Sequence, residues 1–298
     1  MVAPLCQLTP VPPERIKPKT FEVVVTQVIR ETADTVTLVL DAPQIPPYRA
    51  GQFLTIDPHY FPVITGQVAW VEHVKGGKKE LVRAYSMASA PHEPLAITIK
   101  EEPYRPGDLH APLLSPLLVH AIPVGTRFPV VGFTGPYTLP PDVEQRTDHI
   151  VHLVAGSGVV PNYSIVKDSL RNHPNLRHTF IDTNKTWDDI IFREGLQRLA
   201  EEHPRRFTLV HTLTRQSDIS GLPAGVRQGR VTAELLRELI PNSGTALAYL
   251  CGPAIASWDR KKALAEGTSP TPRFLESTIA NLQAVGFTPA RIKREAYG

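Results

Sequence analysis

Cysteine is scarce in this chain: among 298 residues, only Cys6 and Cys251 occur. Iron–sulfur clusters and structural zinc sites usually need four ligands, so this count excludes both kinds of site, and it gives no disulfide framework. The chain also lacks an apolar run of the ~20 residues that span a bilayer, and residues 1–10 lack the basic and apolar stretches of a signal peptide. These absences predict a cytoplasmic protein with no membrane span and no metal site.

Net charge is also low, at +3. With no patch of basic and aromatic residues, this charge argues against nucleic-acid binding. Proline, by contrast, is abundant: its 30 residues are about twice the average usage and disfavour a helical bundle, because proline breaks helix interiors. The length favours two domains.

The first half of the chain has an all-β pattern. Residues 1–20 are proline-rich and predict an extended lead-in. Residues 21–145 contain short β-branched segments separated by turn residues, which predicts an antiparallel β-barrel. The predicted strands cover residues 21–29, 35–40, 52–56, 67–74, 95–99 and 127–131. Gly76-Gly77 is interpreted as a hairpin turn, and 57–66 as a loop of unknown purpose.

The second half, residues 146–298, alternates strands with helices, which predicts an α/β domain with a parallel sheet and helices on both faces. Strands are predicted over 149–155, 178–182, 206–213 and 246–251, and helices over 163–172, 188–202, 232–239 and 273–285. Residues 263–273 are interpreted as an insertion before the last helix. Histidines such as His149 and His152 are interpreted as core or surface residues rather than metal ligands.

A glycine-rich loop follows the first predicted parallel strand. Its residues are Gly156, Ser157, Gly158, Val159 and Pro161. Glycines permit a tight turn, and the backbone N–H groups of a following helix favour a pyrophosphate. Because Pro161 replaces the third glycine of the dehydrogenase fingerprint, an ordinary strand-to-helix turn remains the alternative.

Two further motifs complete a pattern: Arg83-Ala-Tyr-Ser86 before the loop and Cys251-Gly-Pro253 after it. In this order, on a barrel followed by a parallel sheet, the three motifs resemble the ferredoxin–NADP reductase superfamily of flavoproteins. The resemblance covers residues 21–298. It implies an FAD-binding barrel over 21–145 and an NAD(P)-binding α/β domain over 146–298.

The resemblance also implies roles for the barrel residues. Arg83 would neutralise the flavin pyrophosphate, Tyr85 would pack against the isoalloxazine, and Ser86 would lie near flavin N5. Ser115 would bind phosphate, although Pro112 stands where relatives have glycine, so FMN remains an alternative to FAD. The implied flavin-binding set is Arg83, Ala84, Tyr85, Ser86, Ile99, Lys100, Leu114, Ser115, Thr138 and Tyr297.

The end of the sequence resembles the superfamily's terminal Glu-x-Tyr. Tyr297 would cover the flavin face where nicotinamide docks, so its ring would have to move. Glu295 and Cys251 would lie beside the nicotinamide. The implied catalytic residues are therefore Ser86, Cys251, Glu295 and Tyr297. A frayed polar tail is the alternative interpretation of these last residues.

The resemblance favours NADPH over NADH. Thr214-Arg215 with Arg227 and Arg230 resembles the group that binds the 2′-phosphate. Asp182 is a contrary signal, because an acid at a strand end can hold a free ribose hydroxyl. The implied nucleotide-binding set is Gly156, Ser157, Gly158, Val159, Pro161, Thr214, Arg215, Arg227, Arg230, Cys251, Gly252 and Pro253.

Together these features predict a flavin-dependent NAD(P)H oxidoreductase that passes electrons to a separate one-electron carrier, a ferredoxin or flavodoxin. One alternative is the NADH-using reductase component of a multicomponent oxygenase. Another is a non-catalytic flavin-binding subunit of a larger complex. The basic second half, with 19 Lys and Arg against 14 Asp and Glu over 151–298, is compatible with steering an acidic partner.

Overall fold

The computed structural model describes residues 18–101, 104, 112–241 and 243–297. Cys6 and most of the predicted lead-in lie outside these ranges. Two six-stranded sheets form the framework, one built from strands within residues 19–134 and the other from strands within residues 149–297.

The first sheet is antiparallel and closes into a barrel, which confirms the predicted architecture. Its strands are β1 (Lys19–Thr32), β2 (Thr35–Asp41), β3 (Phe53–Ile56), β4 (Arg83–Ser86), β5 (Ala96–Lys100) and β6 (Arg127–Thr134), in the order β4-β3-β6-β1-β2-β5. A bridge between Met87 and Ile97 joins the two edges. Side chains such as Val25, Leu38 and Leu54 are fully buried and fill the interior. Helix α2 (Leu114–His120) packs against this core.

One predicted strand is wrong, because residues 67–74 belong to helix α1 (Thr65–Val74). Val68 and Val71 are buried while Trp70 is exposed, which is the spacing of a helix that buries one face. A strand would place Val68 and Trp70 on one face and Val71 on the other. Packing against the barrel therefore selects a helix over a strand for residues 67–74.

The glycine pair after α1 ends a helix and does not form the predicted hairpin turn. Gly76 and Gly77 have φ of +70° and +81°, and their N–H groups donate to His73 O and Glu72 O at 3.0 and 2.8 Å. These bonds satisfy carbonyls at the helix end, a common use of glycine in left-handed backbone. The preceding stretch, interpreted as a loop, contains two short 3₁₀ turns, Pro58–Tyr60 and Pro62–Ile64.

The second sheet is parallel throughout, as predicted. Its strands are β7 (His149–Ala155), β8 (Arg177–Asn184), β9 (Phe207–Leu213), β10 (Val226–Gln228), β11 (Leu247–Pro253) and β12 (Ile292–Tyr297), in the order β10-β9-β8-β7-β11-β12. The helices are α3 (Val143–Arg146), α4 (Val159–Asn172), α5 (Arg193–Glu202), α6 (Ala233–Leu239), α7 (Ser257–Ala265) and α8 (Phe274–Ala284). Strands β10 and β12 and helices α3 and α7 were not predicted.

Helices cover both faces of this sheet. Val166 of α4 and Leu196 of α5 share one apolar cluster with Phe180, whereas Leu236 of α6 and Leu282 of α8 belong to another. The strand order reverses between β7 and β11. In open sheets with parallel strands, ligands bind at the carboxyl ends of the strands at such a reversal. Within the described part of the chain, no helix combines the length and apolar character needed to cross a bilayer.

Candidate active site

A cleft of about 1070 Å³ lies between the barrel and the carboxyl ends of the parallel strands. The barrel contributes β4 and the end of β5, and the sheet contributes the ends of β7, β8, β11 and β12. The lining residues are Phe53, Arg83, Ala84, Tyr85, Ser86, Thr98, Lys100, Glu101, Pro112, Ala155, Gly156, Ser157, Val160, Thr183, Asn184, Lys185, Asp189, Thr214, Pro253, Arg273, Glu295, Ala296 and Tyr297. Residues from both sheets therefore form one site.

The glycine loop forms the floor of the cleft at the reversal. Gly156 has a φ of +54°, a backbone conformation that favours glycine. At Gly158 a Cβ atom would lie 2.1 Å from the carbonyl oxygen of Cys251, so only glycine lets the turn after β7 pass this close to β11. The turn Gly156–Gly158 leads into α4, where Pro161 occupies the first turn and disrupts no helical hydrogen bond.

The pairing of β11 with β12 aligns the late motifs. Cys251 is in register with Glu295, and Pro253 with Tyr297. Cys251 is fully buried, and burial raises the pKa of its thiol well above the usual value, as does neighbouring Glu295. The terminal motif is thus the edge strand of the sheet rather than a frayed tail.

A hydrogen bond between the hydroxyls of Ser86 and Tyr297 joins the two halves across the cleft. The two residues are 211 positions apart in sequence. Burial raises the pKa of the Tyr297 hydroxyl well above its ordinary value, with Cys251 and Glu295 acting in the same direction. Tyr297 therefore stays protonated at neutral pH and can donate this bond.

Glu295 has an unsatisfied oxygen in the cleft. Its Oε2 is buried and has no hydrogen-bond partner among the described residues. Burial raises the pKa of this carboxyl to about 7. A buried polar atom without a partner is costly, so the position fits a bound molecule that supplies a donor.

Arg83 has a partner that sequence reasoning missed. Its guanidinium donates to Glu80 Oε1 at 2.6 Å and to the carbonyl oxygen of Leu81 at 2.7 Å. Burial would raise the pKa of Glu80, but hydrogen bonds from Lys75 and Arg83 lower it below the ordinary value. Glu80 lies three residues before a common motif, and nothing in its sequence context marks it as buried. The pair fixes the direction in which Arg83 reaches the cleft.

About half of the predicted site residues line the cleft. These are Arg83, Ala84, Tyr85, Ser86, Lys100, Gly156, Ser157, Thr214, Pro253, Glu295 and Tyr297. The other predicted residues do not line the cleft. Three are exposed: Arg215, Arg227 and Arg230. The rest are buried behind the lining: Ile99, Leu114, Ser115, Thr138, Gly158, Val159, Pro161, Cys251 and Gly252. Lys185, Asp189 and Arg273 line the cleft and were not predicted.

The residues associated with nucleotide choice are dispersed. Arg227 pairs with Glu238 at 3.2 Å, whereas the backbone N–H of Arg215 donates to the carbonyl oxygen of Lys185 at 2.8 Å, which places Arg215 beside a cleft residue. Asp182 is buried and pairs with His211 at 3.2 Å. It does not end its strand, because β8 continues to Asn184, so it offers no carboxylate to a ribose.

Comparisons with known proteins agree with this geometry. Residues 153–257 match the family model described as the oxidoreductase NAD-binding domain. The chain is 31% identical over 189 residues to NADH-cytochrome b5 reductase 2 of Coccidioides immitis, covering 60% of this chain and 53% of that protein. It is 28% identical over 287 residues to the ferredoxin reductase component of 3-ketosteroid-9-alpha-monooxygenase of Mycobacterium tuberculosis, covering 91% of this chain and 69% of that protein.

Among solved structures, the FAD/NAD-binding domain of a nitric oxide dioxygenase from Vibrio cholerae has the same fold. Its TM-score is 0.68 at 20% identity, and the match covers 93% of this chain and 98% of that one. The chain thus spans about half of the fungal relative and nearly all of the solved bacterial domain. The barrel and the parallel sheet form a two-part fold with one candidate site in the cleft that both parts line. Residues 153–257 thus match an oxidoreductase NAD-binding domain, and over 91% of its length the chain is similar to a ferredoxin reductase component.

Proposed function

We propose that this protein is a flavin-dependent NAD(P)H oxidoreductase that delivers electrons to a separate one-electron carrier. Its barrel, over residues 21–145, would bind FAD, and residues 146–298 would bind the nucleotide. The observation that carries the proposal is the Ser86–Tyr297 hydrogen bond inside a cleft that both halves line. A ferredoxin or flavodoxin is the proposed acceptor.

The residues present fit such a cofactor. Arg83 and Lys100 line the barrel wall, paired with Glu80 and Asp34, and would offer their remaining donors to a pyrophosphate. The glycine loop offers backbone N–H groups on the opposite wall. Bound FAD would supply the conversion of one electron pair into two single electrons: NAD(P)H and two oxidised carriers give NAD(P)⁺, two reduced carriers and one proton.

The side chains at the centre would position and gate the reactants. Tyr297 is held by Ser86 and occupies the junction of the two walls, so its ring must swing aside before a nicotinamide can dock. Glu295, with a pKa of about 7, can hold or release a proton near neutral pH beside that position.

For the nucleotide we propose NADPH. Lys185 lines the cleft and Arg215 lies next to it, so two cations are available to a 2′-phosphate. NADH is the alternative, since the fungal relative is named for it. The match to the mycobacterial oxygenase component over 91% of this chain favours a second candidate function, an oxygenase reductase.

An anaerobic titration of FAD-loaded protein tests the proposal. We expect NADPH to bleach the flavin absorbance, with a higher kcat/KM than NADH. Removing both cations (Lys185→Ala with Arg215→Ala) should lower kcat/KM for NADPH at least about tenfold, the cost of one charged contact, and leave NADH almost unchanged. Arg198→Ala, on the exposed face of α5, is the matched control.

Two results would contradict this scheme. A protein that binds no flavin would reject the proposal, and one that binds flavin but shows no bleaching with either nucleotide would be the non-catalytic flavin-binding subunit. A higher kcat/KM with NADH, unchanged by the double substitution, would reject NADPH while leaving the oxidoreductase proposal in place.

A further inference from the structure

Exposed apolar side chains are concentrated in one segment of the barrel. Among the residues that the structure describes, twelve large apolar side chains are exposed, and half of them lie between residues 60 and 82. These six are Tyr60, Val63, Trp70, Val74, Leu81 and Val82. Single exposed apolar residues are normal on a surface, whereas a cluster of this kind marks an interaction site.

The segment is anchored, so its exposed face is preformed. Phe61, Ile64 and Val68 are buried in the barrel core, and the Phe61 ring packs 5.2 Å from that of Phe128. On the opposite face of α1, Trp70 and Val74 are one turn apart and project together into solvent. Trp70 is 55% exposed, and this exposure contributes nothing to the stability of the barrel.

The exposed face adjoins the cleft. The backbone N–H of Glu80 donates to Glu72 Oε1 at 2.8 Å, so the chain after α1 returns alongside that helix. Leu81, which is 71% exposed, then accepts a hydrogen bond from Arg83, a cleft residue. We call the set Val63, Trp70, Val74, Leu81 and Val82 the rim patch.

The charges around the rim patch are weakly positive. Residues 57–83 contain four Lys and Arg against three Asp and Glu. Asp57 is engaged by Lys79 at 3.3 Å, and Glu80 by Lys75 and Arg83. Lys78 has no ion-pair partner within the described ranges, and it is exposed. The segment therefore presents exposed apolar side chains together with the cation of Lys78, which no carboxylate of the described residues engages.

We propose that the rim patch is the docking surface for the one-electron carrier, a small protein with an apolar contact area and an acidic border. The inference rests on the proposed function, because an acceptor must approach the cleft that holds the redox group. A small patch suits the limited interfaces of electron-transfer partners, Trp70 supplies an aromatic anchor, and the cations steer an acidic surface.

Two acceptors test this docking surface. Ferricyanide is small and reports electron release without docking, and an acidic [2Fe–2S] ferredoxin serves as the protein probe. We expect the double variant Trp70→Ser, Leu81→Ser to raise the KM for ferredoxin at least tenfold and to leave ferricyanide reduction within about twofold. Lys78→Gln should weaken the salt dependence of ferredoxin reduction. Trp258→Ser, at a tryptophan of α7 that is 65% exposed, is the control.

Each other outcome counts against the proposal. An unchanged KM for ferredoxin in the double variant would overturn it, as would a wild-type protein that reduces ferricyanide and no acidic carrier. A dimer in solution that Trp70→Ser dissolves would assign the surface to a second copy, and Trp70-dependent binding to vesicles of anionic lipid would assign it to a membrane. A wild-type protein that reduces neither acceptor would remove the proposed function and the docking surface together.

Discussion

Glu295 shows how burial alone tunes a single side chain in this cleft. Because the pKa of its carboxyl is about 7 in the folded protein and near 4.3 for an exposed glutamate, the folded protein binds the proton more tightly than the unfolded chain. The free energy of unfolding therefore falls as pH rises from about 4 to about 7, and then levels off. The ionised carboxylate destabilises the fold above that range.

We expect Glu295→Gln to remove this pH dependence. Relative to the wild type, the variant should gain about 1–3 kcal/mol in free energy of unfolding at about pH 8 and almost nothing at about pH 4. Urea denaturation at several pH values measures both quantities. Glu201→Gln, at an exposed position of α5, should shift the free energy equally at each pH. A gain for Glu295→Gln that is as large at low pH as at high pH would rule out this account.

Single residues of the site could be predicted where they belong to a motif. Arg83, Ser86 and Tyr297 were found in this way, and all three line the cleft. Glu80 and Arg273 could not be found, because a carboxylate or a guanidinium without a motif is indistinguishable from a solvated surface charge. Their position depends on how β4 and α8 are packed.

At the scale of elements, the loop between β7 and α4 has no space for a side chain at one of its two glycines. Gly158→Ala would place a methyl group 2.1 Å from a backbone carbonyl, where no flexible side chain can give way. We expect a loss of at least about 3 kcal/mol in free energy of unfolding, because the turn after β7 must move away from the backbone of β11.

Gly156→Ala is the matched control. Its Cβ would meet open space, so only the left-handed backbone opposes the substitution, at a cost of about 1–2 kcal/mol. Thermal and chemical unfolding of the two variants compares these costs directly. If Gly156→Ala is the more damaging of the two, the close approach of Gly158 to β11 does not limit this loop.

The segment around α1 shows why one element was mispredicted. The spacing of the apolar residues within 67–74 is compatible with either a strand or a helix. Among the described residues the barrel sheet has six strands, and Val68 of this segment packs against their core from a helix. The same packing left Trp70 outside, a consequence that no local pattern could indicate.

At the scale of the whole molecule, a buried polar network fastens the barrel to the sheet. Asn162 of α4 donates to Tyr137 Oη at 3.1 Å and accepts from His152 Nδ1 at 2.8 Å. Tyr137 lies just beyond the last barrel strand, whereas His152 is in β7. Burial lowers the pKa of His152 to about 4, so the ring is neutral at pH 7 and its Nδ1–H can donate.

We expect this network to couple the two halves energetically. Asn162→Leu should cost about 2–4 kcal/mol, since it leaves two buried groups unsatisfied, and Tyr137→Phe about 1 kcal/mol. The double variant should cost less than the sum, by about 1 kcal/mol, because both substitutions remove one shared hydrogen bond.

Chemical denaturation of the four proteins completes this cycle. Tyr48→Phe, whose hydroxyl bonds Ser89 and shares no partner with Asn162, should be additive with Asn162→Leu. If the losses in free energy of unfolding for Tyr137→Phe and Asn162→Leu are also additive, the network does not hold the two halves together.

The sequence by itself determined the barrel, the parallel sheet and the three ordered motifs. Those features rest on local periodicity and on backbone requirements that particular residues meet, such as the tight turn at Gly156. Only the tertiary structure decided that α1 is a helix, that Glu80 pairs with Arg83, and that Ser86 bonds Tyr297. These outcomes depend on contacts between residues far apart in the chain, where burial and strand register, rather than local preference, set the free energy.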